Sequence, residues 1–186
     1  MATSSKRHRL IEAAITLFYH QGVISTTLAD IAQHAEVPLG NVYYHFRTKE
    51  ALVEAVINKH IDGLRALFAS WEHLSDPRER LLALLATECQ QASTLARYGC
   101  PHGSLCQELD KSDTTLVTTA SLLFQTYLSW AQEQIRLLGR DEQEASDLAL
   151  DFVTSLQGTL LIGSSFRSSD LLERKLQRME AWVRTL

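Results

Sequence analysis

The sequence predicts an all-α chain of about nine helices, on three observations. Glycine and proline are scarce, eight and three in 186 residues, and most stand between long periodic segments. Within those segments apolar residues recur at spacings of three and four, the signature of a helix with one buried face. No run of alternating apolar and polar residues is flanked by turn signals, so no strand is expected. Hydrophobic residues make up 45% of the chain, too many for disorder.

The first helix covers about Lys6 to Gln21, with Leu10, Ala13, Ala14, Leu17 and Phe18 on one stripe and Gly22 as its stop. Thr27 opens a short helix, with Asp30 three residues on in an approximate capping box and Leu28, Ile31 and Ala32 facing inward. A turn at His34 to Pro38 leads to a second short helix, Leu39 to Phe46, with Val42 and Phe46 inward. Thr48 caps a helix running to about Trp71. Asp76-Pro77-Arg78-Glu79 starts another that reaches Tyr98. Gly99, Pro101 and Gly103 break the chain before a short segment, Ser104 to Asp110. Asp113 opens a helix ended by Gly139, Asp141 opens one to about Phe166, and the last runs from Asp170 to Thr185.

Several function classes are already excluded or disfavoured. The net charge of -4 argues against an indiscriminate polyanion binder. The imbalance is uneven, with +1 over the first 50 residues and -5 over the remainder. No stretch has the roughly 18 uninterrupted apolar residues of a membrane span, so no membrane partner is expected. The opening residues carry no secretory signal pattern, and three irregularly spaced cysteines (Cys89, Cys100, Cys106) form no disulfide framework. Both point to a reducing cytoplasm. A nucleophile elbow, a phosphate-binding glycine loop and a HExxH pair are all lacking, so no enzyme, cofactor or metal is expected.

Residues Thr26 to Lys49 read TTLADIAQHAEVPLGNVYYHFRTK, two short helices joined by a tight turn between two supporting helices. This is a helix-turn-helix. Ala32 and Ala35 suit the helix crossing, and Val37 suits the apolar lock after the turn. With Val42 and Phe46 inward, Leu39, Gly40, Asn41, Tyr43, Tyr44 and His45 are left outside, where they can meet base edges and phosphates.

From about Lys6 to Val56 the chain resembles the DNA-binding domain of the TetR family of transcriptional regulators. The resemblance is carried by Ile11-Glu12-Ala13-Ala14, Leu17-Phe18, Gly22, Thr26-Thr27, Ile31-Ala32, Val37, Gly40, Tyr43-Tyr44-His45-Phe46 and Lys49-Glu50-Ala51-Leu52. It implies a DNA-binding domain over residues 1–50 and a ligand-sensing, dimerising domain over 51–186. It also implies phosphate contacts from Thr26, Thr27, Tyr44, His45 and Lys49. Base readout should fall to Leu39, Gly40, Asn41 and Tyr43. The Lys6-Arg7-His8-Arg9 cluster is either a solvated terminus or a phosphate clamp.

Beyond residue 57 the expectations are broader. Ser155, Thr159 and Gly163 form a small-residue groove with Leu156 and Phe166 nearby, suited to a helix-pair homodimer interface. The same residues could also pack within one chain. Phe68, Trp71, Tyr98, Phe124, Tyr127 and Trp130, with His102 and Cys106, are the candidate effector contacts, against the alternative of ordinary core. Gly99-Cys100-Pro101-His102-Gly103-Ser104-Leu105-Cys106-Gln107-Glu108-Leu109 resembles a stretch in one branch of the family, the LmrA/YxaF-type regulators. It reads as a helix junction, a ligand contact or a thiol switch at Cys100 or Cys106.

The function expected is a homodimeric repressor released from double-stranded operator DNA by a small-molecule effector, with the helix from Thr48 to Trp71 as the lever. The alternatives are a thiol-based sensor, or a helical enzyme or interaction module that does not bind DNA.

Overall fold

The computed structural model describes residues 5–109 and 114–186, and among these it has ten α-helices and no strand. In chain order they are α1 (Lys6–Gln21), α2 (Leu28–His34), α3 (Leu39–His45), α4 (Lys49–Ala69) and α5 (Pro77–Gln90). Then come α6 (Ala92–Tyr98), α7 (Pro101–Leu109), α8 (Thr114–Leu137), α9 (Glu142–Ser165) and α10 (Ser169–Val183). Asp110 and Asp113, the expected ends of two helices, lie outside the described residues.

Local chemistry fixes most of these boundaries. Side-chain oxygens of Ser5, Thr27, Asp76, Asp141 and Ser168 each accept a backbone N–H in the first turn of the helix that follows. Those amides have no partner within the helix, and each such cap contributes about 1 kcal/mol. Thr48 does the same for α4, accepting from the Ala51 amide at 3.2 Å. Gly22 stops α1 at φ 86°, ψ 158°, a backbone region open essentially to glycine alone.

Two expectations are corrected. The single helix from Pro77 to Tyr98 is two, because Gln91 leaves the helical region (φ -101°, ψ 9°) and α6 starts anew at Ala92. The break expected through Gly103 ends sooner, since α7 starts at Pro101. Proline suits a first helical position because it has no amide to leave unpaired. Gly103 sits inside α7, where a Cβ would lie 3.4 Å from both Cys100 Cβ and Gln157 Oε1.

The described chain falls into two compact units. Among the described residues, the first comprises 5–62, 104–109 and 114–123, and the second 63–103 and 124–186. In the first, α1, α2 and α3 pack on one another, and Leu10, Ala14, Ile31, Val42, Leu52 and Val56 are 4% exposed or less. In the second, α10 packs on α5, α6 and α9, burying Leu81, Leu85, Phe152, Leu156, Leu172 and Leu176. Arg80 ties the α4–α5 connection to α8 by donating to the carbonyls of Leu74 and Glu72 and to Gln134 Oε1.

Candidate functional site

The helix-turn-helix is built from its turn outward. Thr27 and Asp30 close a complete capping box at the start of α2, each side chain meeting the other's backbone amide. The turn passes through Glu36 at φ 51°, an unusual conformation for a residue with a side chain. The Glu36 amide donates to the Gln33 carbonyl at 3.1 Å, and two further contacts hold it there. The Val37 amide donates to the Ala32 carbonyl at 2.9 Å, and Arg9 Nη2 donates to the Glu36 carbonyl at 3.3 Å. Val37, Ala32 and Ala35 are all buried, which fixes how α2 and α3 cross.

α3 has seven residues, so two anchors orient it. Val42 is fully buried and Phe46, at its C-cap, is 4% exposed. The opposite face is bare: Leu39 is 42% exposed, Tyr43 55% and Tyr44 82%. Large side chains held in water on a rigid short helix are the unusual observation, since packing cannot account for them. A Cβ on Gly40 would meet nothing within 4 Å, so that stretch of backbone is open to close approach. Asn41 and His45 are partly exposed on the same helix. Lys49 Nζ lies 3.5 Å from the Ile24 carbonyl, which holds its ammonium beside the α1–α2 turn.

Among the expected phosphate contacts, Thr26 is a correction. Its side chain is wholly buried, its hydroxyl donates to the Gly22 carbonyl at 2.6 Å and it accepts from Gln21 Nε2 at 3.2 Å. It braces the α1–α2 turn and offers nothing outward. The basic cluster at the start of α1 is also engaged. The Arg7 guanidinium lies 5.2 Å from the centre of the Phe46 ring, and Arg9 holds the turn as described.

Sequence reasoning assigned no separate role to Glu108 of α7. Its Oε2 accepts from the Ile24 amide at 3.2 Å, and a Cβ on Gly22 would meet its Oε1 at 2.8 Å. A carboxylate from the distinctive Gly99–Leu109 stretch thus holds the turn leading into α2, with Leu105 and Leu109 buried on the same helix. The stretch had drawn notice as a motif, but only its contacts reveal the acid's task.

In the second unit, Phe68 is the hub of an aromatic cluster. It stacks on Trp130 at 4.2 Å between ring centres and 10° between planes, and it meets Tyr127 edge-on at 5.7 Å and Trp71 at 6.0 Å. Phe124 lies 6.4 Å from Tyr127. His102 Nδ1 and the Tyr127 hydroxyl share a hydrogen bond of 3.1 Å. Six of the eight candidate effector contacts are therefore contiguous. Tyr98 carries the Arg97 guanidinium 5.0 Å over its ring. Cys106 belongs to the first unit, where its thiol donates to the Ala120 carbonyl at 3.4 Å.

A thiol switch at Cys100 fits poorly, because burial pushes that thiol up to about 11. A reactive cysteine needs the opposite shift, and the imidazole of His102, two residues on, is engaged with Tyr127.

The small-residue groove expected at a dimer surface mostly faces inward. Leu156, Thr159 and Gly163 are buried, and a Cβ on Gly163 would overlap Leu172 of α10 in the same chain. The outward face of α9 carries Leu161, Ile162 and, at its C-cap, Phe166, 73% exposed. Ser155 is half-buried beside a groove of about 560 Å³, which Gly158 and Ile162 of α9 share with Arg174, Lys175 and Arg178 of α10.

A sequence profile of the family described as "Bacterial regulatory proteins, tetR family" matches residues 10–56, from α1 into α4. Along most of its length the chain is similar to the HTH-type transcriptional regulator LmrA of Bacillus subtilis, 27% identical over 91% of this chain and 92% of that protein. It is 28% identical to the HTH-type transcriptional repressor DhaR of Mycobacterium sp., over 95% of this chain and 91% of that one. Among solved structures, a TetR transcriptional regulator from Legionella pneumophila superposes with a TM-score of 0.87 at 20% identity, covering 100% of this chain and 98% of that one.

Proposed function

This chain belongs to the TetR family of bacterial transcriptional regulators, and from that premise we propose a homodimeric cytoplasmic repressor that a small-molecule effector releases from its operator. It is a DNA-binding regulator, and regulators of this family act by binding rather than by catalysis. The observation that carries the finer reading is the bare outer face of α3, with Leu39, Tyr43 and Tyr44 in water above the buried Val42 and Phe46. That face supports base readout by Leu39, Gly40, Asn41 and Tyr43, with Tyr44, His45, Thr27 and Lys49 at phosphates.

Residues 1–50 are the DNA-binding part in this reading, and residues 51–186 sense and dimerise. Exposed apolar bulk on α9 at Leu161, Ile162 and Phe166 supports a helix-pair interface. Two-fold pairing would set two copies of α3 about 34–36 Å apart, one turn of duplex. The Phe68–Tyr127–Trp130 cluster with His102 supports an effector site among α4, α7 and α8.

α4 runs from the first unit into the second, dividing at Asp62 and Gly63, and is the lever of this mechanism. Effector binding favours a state in which both heads cannot dock, and DNA opposes the effector by the same free energy. A mobility-shift titration on purified protein, against sequences selected from a random library, tests the reading. The expected result is salt-sensitive, sequence-selective binding of two chains per site. Binding by single chains, or without sequence preference, would refute it.

A further inference from the structure

We propose that the interior of the second unit contains a cation-binding site centred on Glu88, and that the effector is a positively charged organic molecule with an apolar body of about ring size. This rests on the effector-responsive reading above and names the chemical class of the ligand.

α5 buries Leu81, Leu84 and Leu85, and Glu88 falls seven, four and three residues later, on the same inner stripe. Packing alone would select leucine there. A carboxylate on a core face is normally neutralised by a partner, because an uncompensated buried charge costs several kcal/mol. Among the described residues, no hydrogen bond or ion pair reaches the Glu88 side chain. Burial alone pushes its carboxyl up to about 7, with no lysine or arginine acting on it. It nonetheless keeps partial solvent exposure.

The surroundings are those of a ligand site. The Glu88 charge is close enough to help raise both the Tyr127 hydroxyl, from α8, and the Cys100 thiol, from the α6–α7 connection. Tyr127 is in turn bonded to His102 of α7. Neither the Tyr127 phenol nor the Cys100 thiol is a cation that could neutralise Glu88. The Tyr127 ring meets Phe68, which stacks on Trp130, so an aromatic cluster continues from the phenol that feels the Glu88 charge. A few convergent polar groups beside apolar walls make a small-molecule site. An unpaired carboxylate next to aromatic rings selects a cation, through charge and through ring faces together.

The test uses the full chain and three probes with one ring system: (naphthalen-1-ylmethyl)trimethylammonium, naphthalen-1-ylmethanol and naphthalen-1-ylacetate. Calorimetry at pH 8 should find the cation bound at least about tenfold more tightly than either of the others. Glu88→Gln should remove that preference and leave affinity for the alcohol within about twofold. Near pH 6.5, cation binding to the wild type should release protons, read from the dependence of heat on buffer, as a partly protonated carboxyl ionises. That readout needs no variant and decides the matter if Glu88→Gln does not fold.

Equal affinity for the three probes, preference for the anion, no cation binding up to about 1 mM, or an unchanged preference in Glu88→Gln overturns the proposal. DNA release is measured separately on selected sequences. A Glu88-dependent cation that leaves DNA affinity unchanged upholds the site and contradicts the effector reading. A neutral probe that binds and releases DNA upholds the effector reading and contradicts the cation site.

Discussion

Thr26 and Thr27 are adjacent and chemically identical, yet the fold gives them opposite tasks. Thr27 caps α2 at the surface, while Thr26 is sealed inside with its hydroxyl bonded to the Gly22 carbonyl. Thr26→Val should therefore lower unfolding free energy by about 1–2 kcal/mol in urea and leave the DNA affinity of the folded protein unchanged. On α3 the expectation is different in kind. Asn41→Ala should change sequence preference in a competition assay. Lys49→Ala should weaken all sequences alike and lower the salt slope by about one. Glu88 gives a test against pH. Its folded value of about 7 lies above its ordinary 4.5, so the folded chain holds a proton that the unfolded chain has lost. Stability is lost as pH rises from about 4.5 to about 7, and Glu88→Gln should restore about 3 kcal/mol at pH 8 and almost none at pH 4. That acid was not singled out from the sequence, although it continues the Leu81–Leu84–Leu85 stripe and a charge on an apolar stripe is a readable signal. Thr26 was not legible, because spacing on a seven-residue helix cannot tell whether the residue before its cap turns inward.

At the scale of elements, legibility followed the strength of local signals. Caps at Thr27, Asp76 and Asp141 combine with apolar spacing, and those starts were readable to within a residue. The α5–α6 break was not readable, since Gln91 is neither glycine nor proline and a small change of dihedral separates the helices. The facing of α9 was legible only as an alternative. Small residues at four-residue spacing announce close approach of another helix, and in this chain Leu172 of α10 fills the place beside Gly163. Gly163→Ala should accordingly destabilise the fold by about 1–3 kcal/mol in thermal or urea unfolding. Gly63, inside α4, has open space where a Cβ would go. Gly63→Ala should stabilise the chain by about 1 kcal/mol, and a reduced effector response in the same variant would mark that point of α4 as its flexible joint.

For the whole molecule, the charge of -4 had seemed unfavourable to nucleic acid. Its distribution resolves the difficulty, because the acids lie mainly after residue 50 and the first 50 residues carry +1. Arg7 and Arg9 are spent in part on holding Phe46 and the turn, which leaves Lys49 and the polar tips of α3 for the duplex. A weakly charged head suits specific, reversible contact better than tight nonspecific binding. The sensing half was less legible, since an aromatic cluster at helical spacing reads equally as core until its neighbours are known. The regulatory role proposed for this chain depends on sequence-selective binding through the outer face of α3. That binding is tested most directly by selecting bound sequences from a random duplex library with wild type and with Asn41→Ala. A two-fold symmetric sequence is expected for the wild type, with half-site centres about one helical turn apart, and an altered preference at the same spacing for the variant. Recovery of no enriched sequence by the wild type, or of the same sequence by both proteins, would contradict it.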